Sequence, residues 1–362
     1  METKVPGEIG ENGSMERSGS LVWEAETTDS SSDALLKVKD LSISFKTDEG
    51  NVVAVDGVDF AVKRGQTLGL VGESGSGKSV STWAIMRLLP ATAIIHEGSS
   101  IEFQRDDGQI VEITQLDPQG REIRDIRGGE VAIIFQEPMS SFSPVYTVGN
   151  QIMEAVLQHR KMSKREAEEI AIDMLDRVGI PNPRQRVKQY PFELSGGMRQ
   201  RAMIAVALCT NPSLLIADEP TTALDVTIQA QVLALMQELQ DELGMATIFI
   251  THNLGVIAQT ADEIAVMYLG GIVERGPRRE IFYDPKHPYT VNLLRAIPRL
   301  GKAQSQRLVA IEGQVPSPLD RPSGCRFHTR CQQMIPGRCN VDVPAVTKIG
   351  ANHTVNCFLF ED

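Results

Sequence analysis

Residues 72–79 have the sequence Gly-Glu-Ser-Gly-Ser-Gly-Lys-Ser, the pattern of a phosphate-binding loop. In such a loop backbone N–H groups surround the β-phosphate, and glycine tolerates the backbone angles that this requires. The lysine reaches the β- and γ-phosphates, and the last hydroxyl binds Mg²⁺. An apolar run at 66–71 precedes the loop and a helix is predicted over 79–89, which places the phosphates at a helix N-terminus. The sequence therefore predicts a nucleoside triphosphate site built from Gly72, Ser74, Gly75, Gly77, Lys78 and Ser79.

The composition is that of a soluble globular protein. The chain has 362 residues, of which 41% are hydrophobic and 23% charged, enough for one large domain with a smaller one, or for two domains. A net charge of −11 argues against nucleic acid as a partner. We find neither an apolar stretch of the ~20 residues that span a bilayer nor a secretory signal. We therefore expect a cytoplasmic chain that would reach a membrane only by docking on other proteins.

Changes of composition divide the chain into three parts. Residues 1–34 contain eight acidic and two basic residues and six serines, so we expect a disordered tail. Over 35–275, alternating strands and helices predict an α/β fold with a parallel core sheet and an antiparallel edge sheet. A helical subdomain is expected at about 140–200. Residues 276–362 are rich in proline and then in cysteine, which predicts a small accessory domain.

Two carboxylates follow the apolar strand predicted at 214–217. Asp218 at the strand end is placed to bind Mg²⁺ directly or through water. Glu219 is placed to polarise an attacking water. An acidic turn at a strand end is common, and it is the pairing with the phosphate-binding loop that favours the catalytic interpretation.

Gln136 and His252 each follow a predicted buried strand, at 131–135 and 246–251. Ligands of parallel sheets bind beyond the carboxyl ends of the strands, so both side chains should converge on one edge. The Gln136 amide would contact Mg²⁺ and the attacking water, and a neutral His252 imidazole would hydrogen-bond the γ-phosphate. The predicted catalytic residues are thus Glu219, His252 and Gln136, and the predicted Mg²⁺ ligands are Ser79, Gln136 and Asp218.

Together these motifs resemble the ATP-binding subunit of an ABC transporter. The correspondences, in the family's order, are Walker A (72–79), the Q-loop (Gln136), the signature motif (194–200), Walker B (214–219), the D-loop (223–225, ending at Asp225) and the switch histidine (His252). The resemblance implies ATP and Mg²⁺, and a head-to-tail dimer in which each ATP lies between Walker A of one subunit and the signature of the other.

The signature residues suit that role physically. Ser195, Gly196 and Gly197 start a predicted helix, so their N–H groups offer an anion site that has no obvious anion within one chain. The resemblance also assigns Asp225 to the nucleotide site and places Phe45 where an aromatic ring stacks on adenine. For Phe45 the alternative is an ordinary core residue of a strand.

The last hundred residues resemble the oligopeptide, dipeptide and nickel importer branch of this family. The matching segments are 124–144, 225–231, 284–290 and 324–331. The branch implies a second, paralogous ATPase subunit or a copy of this chain, two transmembrane permease subunits and, indirectly, an extracytoplasmic solute-binding protein. The chain would then lie on the cytoplasmic face of the inner membrane. Residues 141–144 depart from the branch's usual pattern, which weakens inference about the solute.

Four cysteines lie near the C-terminus, with five, seven and seventeen residues between them: Cys325, Cys331, Cys339 and Cys357. Disulfides are not expected in a cytosolic chain. Four thiolates suit tetrahedral zinc or an iron–sulfur cluster, and free structural thiols are the third possibility. The family branch carries a [4Fe–4S] cluster in some members, so the resemblance adds this as a possible cofactor.

We therefore expect the ATP-hydrolysing subunit of an importer for oligopeptides or dipeptides. The same role in an importer of oligosaccharides or nickel is the alternative, because the permease and binding protein choose the cargo. A soluble ABC-type ATPase outside transport is a more remote alternative, since such chains carry two nucleotide domains, coiled coils or zinc insertions.

Overall fold

The computed structural model describes residues 33–136, 141–221, 225–296 and 311–361. The first strand begins at Ala34, so nearly all of the predicted tail at 1–34 lies outside the described residues. Among the residues that are described, no helix is both long and apolar enough to cross a membrane.

A five-stranded antiparallel sheet forms from the first part of the chain. Its strands are β1 (Ala34–Thr47), β2 (Gly50–Lys63), β4 (Ala93–Ile95), β5 (Ser100–Gln104) and β6 (Ile110–Glu112). The order is β2-β1-β5-β6, and β4 pairs with β1. Much of β1 alternates between buried apolar and more exposed residues, as expected of a sheet with one face in the core. The antiparallel edge sheet predicted from the sequence is confirmed.

The second sheet of the described residues has eight strands: β3 (Thr67–Val71), β7 (Val131–Ile134), β8 (Leu214–Asp218), β9 (Ala246–Thr251), β10 (Glu263–Tyr268), β11 (Gly271–Pro277), β12 (Thr347–Lys348) and β13 (Thr354–Val355). Their order across the sheet is β12-β13-β11-β10-β3-β9-β8-β7. The five strands from β10 to β7 are parallel, and β11 to β13 continue antiparallel. Every residue of β3, β8 and β9 is buried, which is why these strands are nearly continuous apolar runs.

The helices of the described residues are α1 (Lys78–Ile85), α2 (Arg121–Ile126), α3 (Val148–His159), α4 (Lys164–Arg177), α5 (Pro183–Arg186), α6 (Gly196–Leu208), α7 (Val226–Leu243), α8 (Leu254–Thr260), α9 (Arg278–Tyr283) and α10 (Pro288–Arg295). Helix α1 is shorter than the helix predicted at 79–89. It ends because Arg87 adopts a left-handed backbone conformation, with φ 51°, and Pro90 follows.

The parallel sheet lies between two separate apolar cores. Leu214 and Ile216 of β8 pack in the core shared with the antiparallel sheet. Leu215 and Ala217, the alternate residues, pack in the core shared with the helices. This layering leaves the carboxyl ends of β7, β8 and β9 at one edge, where polar residues can meet.

The C-terminal part of the chain joins the main sheet. Strand β13 pairs with β11, with Val355 opposite Glu274. The buried Glu274 carboxylate lies 2.8 Å from His353 Nε2 and accepts from the backbone N–H groups of Lys286 and His287 at 2.7 and 2.9 Å. The domain boundary expected at 275 thus falls inside β11.

Candidate functional site

The phosphate-binding loop lies between β3 and α1, as the sequence predicts. Gly72, Gly75 and Gly77 all have positive φ, at 154°, 76° and 97°. A Cβ on Gly72 would overlap the carbonyl oxygen of Met267, and one on Gly77 would lie 2.5 Å from that of Ala54. Only glycine therefore allows the loop to curl this closely against the neighbouring strands.

Lys78 fills the centre of this loop. Its buried Nζ donates to the carbonyls of Gly72 and Glu73 at 2.8 and 2.9 Å and to Ser76 Oγ at 3.3 Å, which uses all three ammonium hydrogens. Burial lowers the pKa of Lys78, an effect opposed by the nearby carboxylates, of which Glu219 acts most strongly. A loop that already encloses a cation fits an anionic triphosphate.

The predicted Mg²⁺ ligands lie beside the loop. The Ser79 hydroxyl lies close enough to the Asp218 carboxylate, at the end of β8, to affect its pKa, although the two residues are distant in sequence. Burial raises the pKa of Asp218, and the nearby Ser79 hydroxyl opposes that rise. A hydroxyl and a carboxylate side by side supply the oxygen atoms that Mg²⁺ prefers, so these residues fit the ion.

The three predicted catalytic residues meet at the carboxyl ends of β7, β8 and β9. Gln136 Nε2 donates to Glu219 Oε2 at 3.0 Å, and His252 Nδ1 lies 2.9 Å from Glu219 Oε1. The Glu219 side chain is only 14% exposed, whereas that of His252 is 65% exposed. Glu219 has φ 47°, a costly conformation for a non-glycine residue that is frequent at functional sites.

The signature residues lie at the surface. Ser195 caps α6, accepting a hydrogen bond from Met198 N–H at 3.4 Å, and both Ser195 and Gly196 are exposed while Gly197 is half-buried. Buried Gln200 donates to the carbonyl of Pro220, next to Glu219. The helix is thus anchored to the catalytic strand end, and its N-terminus is open to solvent.

Two further predicted nucleotide contacts have structural partners within the chain. Asp225 caps α7, where its Oδ1 accepts from Thr227 and Ile228 N–H at 3.1 and 3.0 Å. The rest of the predicted D-loop, 223–224, lies outside the described residues. Phe45 is half-buried in β1, opposite Val52, and packs on the core between the sheets. Its adenine-stacking role stays a prediction.

The four cysteines do not form a metal centre in the structure. Cys325, Cys339 and Cys357 are buried and Cys331 is half-buried. Burial raises the pKa of three of these thiols, that of Cys357 to about 11. In residues 33–136, 141–221, 225–296 and 311–361, no three His, Cys, Asp or Glu side chains are arranged to hold a metal ion. The iron–sulfur cluster that the family resemblance added as a possible cofactor is therefore not supported.

Sequence reasoning missed two residues that contact the phosphate-binding loop. Arg330, in the cysteine-rich segment, forms an ion pair with Glu73 at 2.7 Å. Tyr289 Oη in α10 accepts a hydrogen bond from Glu73 N–H at 3.0 Å. The only hint in the sequence was an acidic residue inside a loop built for phosphates, which calls for a nearby cation.

Comparisons with known proteins agree with this geometry. Residues 55–222 match the model of the ABC transporter family, and residues 273–339 match that of the oligopeptide/dipeptide transporter C-terminal region. A putative peptide import ATP-binding protein of Brucella melitensis is 50% identical over 91% of this chain and 98% of its own length. The oligopeptide transport ATP-binding protein OppD of Bacillus subtilis is 48% identical over 90% of this chain and 88% of its own length.

A solved structure shares the fold. It is the dimeric, post-hydrolysis state of the ATP-binding cassette MJ0796 bound to ADP and Pi, with a TM-score of 0.59 and 26% identity. It covers 67% of this chain, and this chain covers 99% of it. With its phosphate-binding loop, the polar side chains at its strand ends and 48–50% identity to these relatives, the chain belongs to the ATP-binding proteins of the ABC transporter family.

Proposed function

We propose that this chain is the ATP-hydrolysing subunit that powers an importer of oligopeptides or dipeptides. The observation that carries the proposal is the Glu219 carboxylate, held between Gln136 and His252 beside the loop that encloses Lys78. A carboxylate fixed by two hydrogen-bonding groups next to a phosphate site is suited to orient and deprotonate a water molecule.

Each residue has a defined part in this mechanism. The loop N–H groups and Lys78 bind the β- and γ-phosphates of ATP. When ATP binds, Lys78 gives up its hydrogen bonds to the loop carbonyls and donates to the phosphate oxygens instead. Ser79 and Asp218, with Gln136, would hold Mg²⁺, which when bound neutralises phosphate charge. Glu219 orients the attacking water and takes its proton, while His252 hydrogen-bonds Glu219 in the absence of nucleotide and the γ-phosphate when ATP is bound.

We further propose that the working unit is a head-to-tail dimer, with itself or with a paralogous ATPase subunit. The exposed N-terminus of α6, with Ser195, Gly196 and Gly197, supports this, because it offers N–H groups for which the described part of the chain supplies no anion. In this arrangement Asp225 lies at the subunit boundary, and Phe45 stacks on adenine.

Peptide cargo is supported by the names of the relatives and by the C-terminal region that matches peptide transporters. We place the chain at the cytoplasmic face of the inner membrane, bound to two permease subunits and served by an extracytoplasmic solute-binding protein.

The proposed domain division of the chain is 1–34, 35–275 with a helical subdomain at about 140–200, and 276–362. An iron–sulfur cluster is not part of the proposal, because the cysteines that the structure describes show no metal-binding arrangement.

Reconstitution of the chain with its permease and second ATPase subunit in vesicles tests this function. We expect ATP-dependent uptake of labelled di- and oligopeptides, abolished by Lys78→Ala, with no competing uptake of Ni²⁺ or oligosaccharides. Uptake of Ni²⁺ or an oligosaccharide in place of peptide would contradict the cargo. ATP binding without any ATP-dependent uptake would contradict the transport function itself.

A further inference from the structure

Glu73 brings a negative charge into the phosphate-binding loop. Its backbone carbonyl accepts from Lys78 Nζ at 2.9 Å and from Ser76 N–H at 3.2 Å, so the residue takes part in the first turn of the loop. Its carboxylate is close enough to Lys78 to affect the pKa of that ammonium group. A triphosphate bound at Lys78 would therefore meet the charge of Glu73, and the two would repel each other.

Arg330 neutralises this carboxylate with a two-pronged ion pair. Nη1 donates to Glu73 Oε2 at 2.7 Å, and Nη2 donates to Oε1 at 3.2 Å. The Arg330 side chain is 4% exposed and that of Glu73 is 27% exposed, so solvent screens the pair only weakly.

The remaining donors of Arg330 are also satisfied. Nη1 lies 3.4 Å from Tyr268 Oη, Nη2 donates to the Ile311 carbonyl at 3.3 Å, and Nε donates to the Glu312 carbonyl at 3.1 Å. With the two bonds to Glu73, all five N–H groups of the guanidinium have acceptors. The position of Arg330 is thus strongly determined, and a lysine could not reproduce it.

The segment that carries Arg330 is itself docked beside the loop. Phe327 packs against the rings of Tyr268 and Tyr289, each with centroids 5.3 Å away. Arg326 Nη2 donates to Asp56 Oδ2 at 2.7 Å, which ties the same segment to β2. Tyr289 completes the support, since its hydroxyl accepts from Glu73 N–H.

We propose that Arg330 is a positioning residue of the nucleotide site, which holds Glu73 and cancels its charge so that the phosphate-binding loop accepts a triphosphate. The inference rests on the proposed function, since it assumes that ATP binds at this loop. It gives the C-terminal segment a direct part in nucleotide binding.

The test measures the affinities of ATP, ADP and AMP by titration calorimetry on the full chain. Variants are Arg330→Met, Glu73→Gln and the double variant, with thermal unfolding recorded for each. Arg338→Met is the matched control, because Arg338 pairs with Glu361 and stacks on Phe358 within the C-terminal segment.

We expect Arg330→Met to weaken ATP binding about tenfold, ADP less and AMP least, since repulsion grows with phosphate charge. The double variant should regain nearly wild-type ATP affinity, and Arg338→Met should not change it. Equal losses for all three nucleotides, or no recovery in the double variant, would show that Arg330 acts only on stability and would overturn the proposal.

Two further outcomes remain decisive. If Arg330→Met does not fold, Glu73→Gln and the double variant are compared directly. Without the carboxylate Arg330 has no charge to cancel, so Glu73→Gln should bind ATP at least as tightly as wild type and the double variant about as tightly. A double variant that binds ATP more weakly than wild type would overturn the proposal. Failure of the wild-type chain to bind ATP would instead contradict the proposed function.

Discussion

The carboxylate cluster around Glu219 and the start of helix α6 differ in burial and in where their hydrogen-bond partners lie. Glu219 is nearly buried, and both of its oxygens have partners from other strand ends of the same chain. Ser195 and Gly196 at the start of α6 are exposed, and Ser195 bonds only to its own helix among the hydrogen bonds of the described residues. One region is completed within the chain, whereas the other presents N–H groups outward.

This difference shows how catalysis can depend on assembly. In the proposed mechanism, the chain pre-forms the groups that would bind phosphate and activate water, which makes them available without a large rearrangement. In the proposed dimer, the start of α6 would serve as a second anion site for a nucleotide held by another subunit, which would couple hydrolysis to contact between subunits. The dimeric state of the similar cassette structure is consistent with this plan.

The largest effect is expected from a substitution in the carboxylate cluster around Glu219. Glu219→Gln removes the water-activating carboxylate but keeps a side chain that Gln136 and His252 can still contact. We expect ATP turnover in the assembled transporter to fall by about 10²–10⁴-fold, with ATP affinity nearly unchanged. The exposed Glu122→Gln on α2 serves as the control. Wild-type turnover in Glu219→Gln would show that another group activates the water.

An intermediate effect on ATP turnover is expected from a negative charge placed at the exposed start of α6. A Cβ on Gly196 would meet no atom within 4 Å, so Gly196→Asp should fold, and an acidic residue in the first turn suits the helix. Its charge would repel the nucleotide of the facing subunit and lower turnover about 10–100-fold. ATP binding by the isolated variant chain should be unchanged, as measured by calorimetry.

Gly196→Ala is the matched control for that variant, because it adds the Cβ without the charge. We expect its turnover to remain close to wild type. If Gly196→Asp weakened ATP binding by the isolated chain, the start of α6 would belong to the same chain's own nucleotide site.

The smallest expected effect is the loss of folding stability at acid pH through His287. Buried His287 caps α10, which carries Tyr289 to Glu73, and burial lowers the pKa of His287 to about 3. Histidine in an unfolded chain has a pKa of about 6.5, so below this pH His287 binds a proton in the unfolded chain but stays neutral in the folded chain. The stability from neutral His287 is complete above pH 6.5 and is lost as pH falls toward 3, by at most ~1.4 kcal/mol per pH unit.

His287→Asn keeps a side-chain acceptor for Tyr289 N–H and removes the titration. Denaturant unfolding between pH 5 and 6.5 should therefore show a shallower pH dependence in this variant than in wild type (a difference of about 1 kcal/mol per pH unit). Equal slopes would mean that the support of the phosphate-binding loop does not depend on a neutral His287.

Sequence patterns carried most of the fold and the catalytic edge. Buried parallel strands are continuous apolar runs, so the strand ends at Gln136, Asp218 and His252 could be placed on one edge from the sequence alone. The pairing of Glu73 with Arg330 could not be predicted, because the residues are 257 positions apart and a lone arginine has no distinguishing pattern.

Two local features escaped prediction for similar reasons. Strand β13 has two residues, too few for an alternating pattern, and its place beside β11 depends on the buried contact between His353 and Glu274. The capping hydrogen bonds of Asp225 could not be predicted, because they depend on the residue at which α7 begins. The family pattern suggested only a contact between Asp225 and the nucleotide.

The most direct test of the composite site is ATP turnover per chain, measured from high dilution to the highest soluble concentration and again with the second ATPase subunit added. We predict little turnover at high dilution, and a rise with concentration or on addition of the second subunit. Rapid turnover that is the same per chain at every concentration, and unchanged by the partner, would show that one chain hydrolyses ATP alone.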